Sequence, residues 1–444
     1  MTTTIFKKSL IAATIALATG QVHAAAFQLN EHSASGLGRA YAGEAAIADN
    51  ASVLARNPAA MTTFDKMAVS VSGTYIKPDV DVDGAMKSSI PLPSLNTQAS
   101  EKGIAPAAFV PASYFIQPLN EQWAWGLALF SNYGLSTEYS KTFPAGAGAG
   151  DTELMTFNIN PNIAYSVNEH FSVGAGINAV YAKAELNRYA GALSTVPPLN
   201  GIPGIGYDTN ISSLKGDTWG FGWNLGTLYE VSENHRFALT YRSQVDLSFD
   251  GDFQGSAAGL QTIQNGKPVF KTVDGNLKLD LPAQAEFAGY HRLNQQFAVH
   301  YSINWTDWSA FQELKATSSA CNDGTLGQCL QKDEKFKDSM RYAIGGTWYI
   351  NPVWEARLGF AYDNTPIEAE YRSLSIPDSD RIWYSAGATY HFTPDMSLDF
   401  GLTYIDGKKV DVNEGIPKHD SSIRWQGTSH GDAFLASAGF NMKF

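Results

Sequence analysis

The sequence has 444 residues, 44% of them hydrophobic and 12% aromatic, and it carries a formal net charge of -12. The negative charge and the lack of a basic tract argue against nucleic acid as a partner, because nucleic-acid affinity comes largely from neutralising phosphates. After residue 24, no apolar run approaches the about 18 residues of a membrane-spanning helix. The sequence gives no reason to expect a cofactor or a bound metal ion.

The N-terminus has the pattern of a secretory signal peptide. Lys7 and Lys8 precede an apolar run from Leu10 to Ala18, and Val22-His23-Ala24 has the small residues of a cleavage site. We therefore predict that residues 1–24 are a signal peptide and that the protein is exported.

Residues 25–66 lack the alternation found in the rest of the chain. They are rich in alanine and glycine, are predicted to form short helices and turns, and carry Arg39, Glu44, Asp49 and Arg56. Such charges are not tolerated in hydrocarbon. The rest of the chain has the pattern of a barrel of about fourteen strands, which is too wide to be filled by its own side chains. The stretch is therefore predicted to be a plug, or hatch, in the lumen of that barrel. A periplasmic position is the alternative.

Residues 67–444 alternate between apolar and small or polar residues in about fourteen segments, such as Phe171–Tyr181 and Phe297–Trp305. A period of two places apolar side chains on one face of a sheet. Short turns alternate with long segments around residues 77–105, 184–217, 250–273, 309–338 and 405–430. The pattern predicts an all-β fold, a transmembrane antiparallel β-barrel of about 14 strands in the bacterial outer membrane, with short turns and both termini periplasmic.

The last strand, Phe434–Phe444, alternates to the end of the chain. We expect it to pair with the first strand and so remove the open edges of the sheet. Phe444 is the expected contact with the barrel-assembly machinery. Outer-membrane lipid and lipopolysaccharide are the expected surroundings.

The only cysteines are Cys321 and Cys329, on either side of Asn322-Asp323-Gly324. In an oxidising compartment, a pair eight positions apart favours a loop disulfide over a metal or redox site.

Two of the long segments contain apolar residues where a water-facing loop should be polar. They are Leu193, Val196, Leu199, Ile202, Ile205, Leu260, Ile263 and Phe270. Grouped apolar residues on a water-facing surface often mark a binding patch. The alternative is that the two loops pack on each other as a lid.

Three N-terminal stretches, Phe27–Glu31, Ser35–Tyr41 and Arg56–Ala59, resemble the hatch of the FadL family, long-chain fatty acid transporters of Gram-negative outer membranes. The similarity continues through Ser131–Gly134, Trp219–Asn224, Leu239–Ser243, Ser375–Asp378 and Asn413–Gly415. The resemblance implies a monomeric transporter that captures long-chain fatty acids and passes them through the barrel wall by lateral diffusion. A channel for aromatic hydrocarbons or other small hydrophobic compounds is the alternative.

The resemblance also implies where the ligand binds. The apolar residues of the two loops would form a capture groove, and Arg188 and Lys332 match the positions that contact the acidic head group. Without the resemblance, each is a loop charge or a partner of lipopolysaccharide phosphate. Lys335, Lys337 and Arg341 lie close in sequence and could substitute. Retention of both matching cations favours fatty acids over hydrocarbons, since an unpaired carboxylate in a dry pocket is costly.

Two further motifs acquire roles from the resemblance. Ser131, Asn132, Tyr133 and Gly134 follow a strand, and by composition they mark a strand end or a bulge. The family has an inward kink there, which opens a lateral hole. The triplet Asn57, Pro58 and Ala59 is a helix stop by composition. The family assigns it to hatch gating.

Other classes fit less well. Apolar loops argue against a water-filled porin, and a hatch is not needed in an adhesin. A membrane lipase would need a nucleophile and a base on the lipid face, but His300 and Ser302 alternate with Tyr301 and are predicted to face the lumen. We therefore do not expect an enzyme. His32 departs from the apolar residue expected in the hatch, and the cysteine pair is not a feature of the family pattern.

Overall fold

In the computed structural model, which describes residues 26–89, 91–92, 95–418 and 421–444, most of the chain is β-strand. The predicted signal peptide therefore lies outside the described residues. The described residues include two α-helical turns, α1 (Ala34–Leu37) and α2 (Glu44–Ile47). Turns of 3-10 helix lie at Ala51–Ala55, Pro58–Thr63, Gly191–Thr195, Leu199–Gly201, Ser256–Ala258 and Trp308–Ala310. In the described part of the chain, no helix has the length and apolar character to cross a membrane.

The strands follow one another from residue 68 to the C-terminus. They are β1 (Ala68–Ser88), β2 (Thr97–Gln98), β3 (Ala108–Pro118), β4 (Trp123–Phe130), β5 (Gly134–Thr137), β6 (Gly150–Asn168), β7 (Phe171–Tyr189), β8 (Asn210–Ser232), β9 (His235–Arg242), β10 (Val245–Gly255), β11 (Leu260–Gln264), β12 (Lys267–Phe270), β13 (Thr272–Leu281), β14 (Gln284–Arg292), β15 (Phe297–Thr306), β16 (Glu313–Asn322), β17 (Leu326–Asp333), β18 (Ser339–Tyr349), β19 (Trp354–Asp363), β20 (Arg381–Thr393), β21 (Met396–Gly407), β22 (Val410–Gly415) and β23 (Ile423–Lys443).

The wall is a closed antiparallel barrel. Its last strand, β23, pairs with β1 from Ala68 opposite Lys443 to Ser88 opposite Ile423. Six wall positions each contain two successive strands, namely β4 with β5, β9 with β10, β13 with β14, β15 with β16, β17 with β18 and β21 with β22. The wall therefore has 14 positions, which confirms the predicted all-β barrel. Strands β11 and β12 form a separate hairpin.

The two faces of the wall follow the predicted alternation. In β8, Trp219, Phe221, Trp223 and Leu225 are exposed on the outside, whereas Asn224 is buried on the inside. Aromatic residues near the strand ends donate hydrogen bonds to neighbouring acidic side chains. The Tyr404 hydroxyl donates to Asp432 Oδ2 over 2.8 Å, and Trp305 Nε1 donates to Asp338 Oδ2 over 2.9 Å. Aromatic residues with this combination of an apolar ring and a hydrogen-bonded polar group are typical of strand ends at a membrane interface.

The connections differ at the two ends of the barrel. At the short-turn end, β6 and β7 are joined by two residues, and so are β8 and β9. At the long-loop end, the predicted loops are partly strand. In the stretch 184–217, for example, β7 continues to Tyr189 and β8 begins at Asn210. Extended hairpins satisfy their backbone hydrogen bonds internally, and so they can project beyond the apolar band.

Residues 26–66, here called the luminal segment, contact the inner face of the wall. Gly38 of this segment reaches the backbone of Gly387, and Arg39 reaches Gly345 and Gly359. A Cβ on Gly359 would lie 2.0 Å from the Arg39 carbonyl carbon. Glycine on the wall is therefore what lets the two backbones approach so closely.

Candidate functional site

A cavity of about 640 Å³ opens at the long-loop end of the barrel. Six of the eight predicted groove residues line it, namely Leu193, Val196, Leu199, Ile202, Leu260 and Phe270. Ile205 and Ile263 are not among the lining residues. This volume lies within the about 300–1,000 Å³ range that is usual for small-molecule sites.

The cavity wall comes from two loops that fold in different ways. Residues 190–209 form two 3-10 turns around Pro197 and Pro198, and Leu193 and Val196 pack into a buried cluster with Leu374 and Trp425. The second loop is the β11–β12 hairpin, in which Leu260 is paired with Phe270. Lys267 Nζ of the hairpin pairs with Asp208 Oδ2 of the first loop at 2.8 Å, so the two loops pack on each other and also line one cavity.

Arg188 lies at the end of β7 and lines this cavity. Its side chain is buried, and Nη1 donates to the carbonyl oxygens of Asp151 (3.1 Å) and Asn187 (2.9 Å). Nη2 donates to Ser375 Oγ over 2.9 Å. These hydrogen-bond partners are neutral. Burial lowers the pKa of the Arg188 guanidinium to about 10, while the nearby carboxylates of Glu414 and Asp151 act in the opposite direction.

Lys332 in β17 reaches the same serine. Its Nζ lies 3.4 Å from Ser375 Oγ and forms an ion pair with Glu414 Oε1 at 2.8 Å. Glu414 is buried, and its other oxygen accepts the backbone N–H of Leu374 over 2.7 Å. Ser375 therefore joins the two predicted head-group cations, and Glu414 occupies one of them.

Glu334 adds a second carboxyl to this group. It follows β17 and is buried, and its Oε2 has no hydrogen-bond partner in the described part of the protein. Burial raises the pKa of the Glu334 carboxyl to about 7, while the positive charge of Lys332 acts in the opposite direction. The group can therefore change charge near neutral pH, within electrostatic reach of both cations.

The three other cations that are close to Lys332 in sequence lie elsewhere in the structure. Lys335 and Lys337 are exposed, and Lys337 Nζ pairs with Glu368. Arg341 is buried in the lumen, where Nη2 donates to the carbonyl oxygen of Ala40 over 2.9 Å. The three side chains thus lie apart from the contact of Lys332 with Ser375 and Glu414, because side chains a few positions apart on a strand or turn point to different faces. Their substitution for Lys332 stays a prediction.

The interrupted strand turns into the lumen. Between β4 and β5, the backbone of Ser131–Gly134 meets the luminal segment, since Leu29 N donates to Asn132 O (2.7 Å) and Gly134 N donates to Phe27 O (2.8 Å). Tyr133 is buried inside with Phe27 and Trp308. The backbone of this stretch thus pairs with the luminal segment, while Ser131 Oγ still donates to the Thr156 carbonyl oxygen of β6 over 2.6 Å and Gly134 pairs with Met155.

His32 also contacts this interruption. Its Nε2 lies 3.2 Å from the carbonyl oxygen of Ser131, and its ring packs edge-on against Phe130 at 5.0 Å between centroids. The imidazole thus fills the expected apolar position and adds a polar contact to the kinked strand.

The Asn57-Pro58-Ala59 triplet ties the luminal segment together. Asn57 caps the 3-10 turn Pro58–Thr63 by accepting the N–H of Ala59. Its Nδ2 donates to the carbonyl oxygens of Ala45 (2.8 Å) and Thr227 (3.1 Å). One side chain therefore links two turns of the segment to the barrel wall.

The remaining sequence candidates occupy separate places. His300 and Ser302 are buried in the lumen, as predicted, but each bonds to a different partner, Thr347 and Glu286. They do not form a nucleophile and base pair. Cys321 and Cys329 are disulfide-bonded in the β16–β17 hairpin, with their Cα atoms 5.0 Å apart.

Sequence reasoning did not single out Ser375, Glu414 or Glu334. Ser375 and Glu414 lie in two of the stretches that resemble the FadL family, and this resemblance is the sequence signal that could have pointed to them. Their contacts depend on the irregular segment 364–380 folding over the barrel, about 40 residues away in sequence from Lys332 and from Glu414.

A closed barrel with an apolar outer belt, a filled lumen and an apolar cavity that contains cations defines a class, the outer-membrane transport barrels. The chain belongs to the family described as outer membrane protein transport protein (OMPP1/FadL/TodX), which matches residues 15–444. The protein is therefore an outer-membrane protein of the FadL type, in agreement with the resemblance of its sequence motifs.

Relatives support this assignment along the whole chain. The long-chain fatty acid transport protein of Escherichia coli O6:H1 (strain CFT073) is 44% identical, covering 99% of each chain. The 47 kDa outer membrane protein of Pasteurella multocida is 44% identical, covering 94% of this chain and 95% of its own. In fold, a FadL homologue of Pseudomonas aeruginosa has a TM-score of 0.80 at 22% identity, covering 95% of this chain and 100% of its own.

Proposed function

We propose that this protein captures long-chain fatty acids at the long-loop end and releases them through the barrel wall into the outer membrane. The observation that supports this most directly is an apolar cavity lined by Arg188, whose guanidinium contacts the same Ser375 hydroxyl as Lys332. Lys332 itself lies behind this contact and is not among the lining residues. A fatty acid has the matching chemistry, an acyl chain that ends in one carboxylate.

Capture begins in the groove between the two loops. A buried acyl chain gains roughly 0.8 kcal/mol for each methylene removed from water. The groove is open to water at residues such as Leu260, which is 41% exposed, so only part of the chain is buried there. The affinity at this stage is moderate and reversible.

The head group then moves to the cations. Within the described residues, the hydrogen bonds of Arg188 go to neutral groups, whereas Lys332 must exchange Glu414 for the ligand carboxylate. Ser375 Oγ, which contacts both cations, moves with them. Binding therefore loosens the link between β17 and β22.

Release requires movement of the luminal segment, which we propose to be a hatch of residues 25–66 within a barrel of residues 67–444. Its Phe27–Leu29 backbone covers the interruption at Ser131–Gly134. Displacing this pairing exposes a path sideways to the bilayer, and Asn57, Pro58 and Ala59 hold the turns that must shift. Transfer of an acyl chain from water to the bilayer is downhill, so no energy source is needed.

The second candidate is a channel for aromatic hydrocarbons. It is favoured by structural relatives such as the Pseudomonas putida toluene transporter TodX, with a TM-score of 0.66 at 17% identity, covering 95% of this chain and 100% of its own. A neutral ligand leaves the buried cations without a role, so the fatty acid assignment accounts for more of the site.

The proposed barrel is oriented in the outer membrane with its short turns and both chain ends toward the periplasm. Its cavity faces outward, near lipopolysaccharide. Phe444 is 55% exposed at the short-turn end, where the assembly machinery could contact it. The protein acts as a monomer, since a lateral opening needs lipid beside it.

The test is binding of labelled oleate to the detergent-purified barrel, with an Arg188→Ala/Lys332→Ala double variant and with toluene as competitor. We expect the double variant to bind oleate at least about tenfold more weakly, a loss of about 1.4 kcal/mol, and toluene to compete poorly. Unchanged binding together with displacement by toluene would favour the hydrocarbon channel.

A Lys335→Ala/Lys337→Ala variant is the matched control. It removes two cations from the same connection between β17 and β18, but both side chains are exposed outside the cavity. Its oleate affinity should equal that of the wild type.

A further inference from the structure

Another cation lines the mouth of the cavity. Lys418 lies between β22 and β23, and its side chain is 40% exposed. The same cavity is lined by Arg188, so the two positive groups share one continuous space. Lys418 reaches water, whereas Arg188 is buried.

Lys418 is held by an acid on a different hairpin. Its Nζ lies 3.4 Å from Asp323 Oδ2 and 3.3 Å from the Asp323 carbonyl oxygen. Asp323 stands inside the loop closed by the Cys321–Cys329 disulfide, and Gln328 Nε2 donates to its Oδ2 over 3.2 Å. The disulfide-closed loop thus holds an acceptor beside the lysine.

The outer ion pair resembles the inner one in its arrangement. In both, a lysine pairs with a carboxylate across the gap between the β16–β17 hairpin and the residues around β22. The outer pair is partly exposed, and such pairs contribute little to stability because water screens them. Exchange of Asp323 for an incoming carboxylate therefore costs little.

We infer that Lys418 is the outer binding residue for the ligand carboxylate, and that Asp323 competes with the ligand for it. This inference rests on the proposed function, because it assumes an anionic amphiphile. The protein has a net charge of -12, which repels such a ligand at a distance. A positive group at the mouth lowers that barrier before the head group reaches Arg188.

The experiment measures association and dissociation rates of oleate by stopped-flow fluorescence on the detergent-purified protein. Lys418→Gln should slow association about threefold, and Asp323→Asn should speed it, since charges at the rim of a site act mainly on rates. The equilibrium affinity should change by less than about twofold in both variants, because the final site is at Arg188 and Lys332.

If Lys418 captures the ligand, Lys418→Gln and Asp323→Asn change the rate of oleate association in opposite directions. If the ion pair only holds the two loops together, both variants change the rate in the same direction, and that result would overturn the inference. Unchanged rates in Lys418→Gln would also overturn it. Lys418→Arg keeps the charge and should restore the wild-type rate.

Two controls complete the test. Lys267→Gln removes an exposed lysine from the neighbouring hairpin, where it pairs with Asp208 and is outside the cavity lining. Its rates should match the wild type. Oleyl alcohol, which has the same chain without a charge, should associate equally fast with all variants. Failure of the wild type to bind oleate would refute the proposed function and this inference together, whereas oleate binding with same-direction effects would refute only the inference.

Discussion

The cavity at the long-loop end and the lumen below it are adjacent spaces with opposite chemistry. The cavity is lined mainly by Leu, Val, Ile, Pro and Phe, with few charged side chains. The lumen below is crossed by buried polar contacts, such as the Arg39–Glu44 ion pair at 2.7 Å and the Asn160–Asn224 hydrogen bond at 2.8 Å. An acyl chain that entered the lower lumen would leave those groups unpaired, at about 1–3 kcal/mol each.

In the proposed function, this difference would set the direction of movement. The apolar cavity would accept the acyl chain and the polar lumen would not, and the interruption at Ser131–Gly134 lies between apolar and polar residues. Phe27 and Tyr133 belong to an apolar cluster, while Asn132 Oδ1 accepts from Asn158 Nδ2. A path that leaves sideways at this level avoids the polar lumen.

The closest packing of the luminal segment against the wall should be the most sensitive to change. Gly359→Ala introduces a Cβ that would lie 2.0 Å from the backbone of Arg39. We expect the segment to be displaced, at a cost of about 1–3 kcal/mol, and the lower lumen to conduct ions. Conductance in planar bilayers and thermal unfolding would report this change.

Gly346→Ala is the matched control, because a Cβ there has only Ala298 O, at 3.3 Å, within contact distance. This variant should remain closed and as stable as the wild type. Equal conductance of the two variants would contradict the view that glycine packing seals the lumen.

Loss of the Asn57 side chain should impair release more than capture. Asn57→Ala removes two hydrogen bonds and a cap, worth about 1–3 kcal/mol in total, and we expect oleate uptake by cells to fall at least tenfold. Equilibrium binding of oleate to the purified protein should change much less. Wild-type uptake by this variant would remove the triplet from the gating mechanism.

Asn120→Ala provides the comparison for uptake. Asn120 also caps backbone N–H groups, those of Gln122 and Trp123, but it lies in an exposed turn between β3 and β4. Uptake should be normal.

Binding should depend on pH through Glu334. Because burial raises the pKa of this carboxyl to about 7, it is mostly neutral at pH 6 and mostly negative at pH 8. A negative Glu334 repels an anionic head group, so binding weakens as pH rises. We expect about a fivefold loss, on the order of 1 kcal/mol, for a partly screened neighbouring charge.

Hexadecyl sulfonate is the suitable ligand for this titration, since its head group stays ionised across the range. The Glu334→Gln variant should bind it equally at pH 6 and pH 8. If that variant kept the full pH dependence, another group would have to be responsible.

The smallest effect is expected from trimming the apolar wall. Leu260→Ala should weaken oleate binding about fourfold, the loss of roughly one buried methylene, ~0.8 kcal/mol. Ile263→Ala, in the same hairpin but outside the cavity lining, should leave affinity unchanged. Isothermal titration of both variants would measure the difference, and equal losses would mean that the hairpin acts through its fold rather than through contact.

The barrel wall was largely readable from the sequence. Alternating segments such as Phe297–Trp305 pair with the preceding strand across a short turn, so a local pattern and that turn determine the pairing. The extent of the loops was less readable, because a polar hairpin that projects beyond the apolar band loses the alternation of apolar residues while it keeps its backbone pairing. This is why the stretch 184–217 contains more strand than predicted.

The candidate site depended on the tertiary structure. Four distant parts of the chain contribute to it, namely Arg188, Lys332, Ser375 and Glu414. These residues come into contact because the loops fold over the barrel. The same folding separates residues that are close in sequence, such as Lys335 from Lys332 and Ile263 from Leu260. The sequence by itself determined the repeated, local features of the wall, whereas the closure of the barrel and the packing of its loops decided which side chains meet, because those contacts join residues that no local pattern connects.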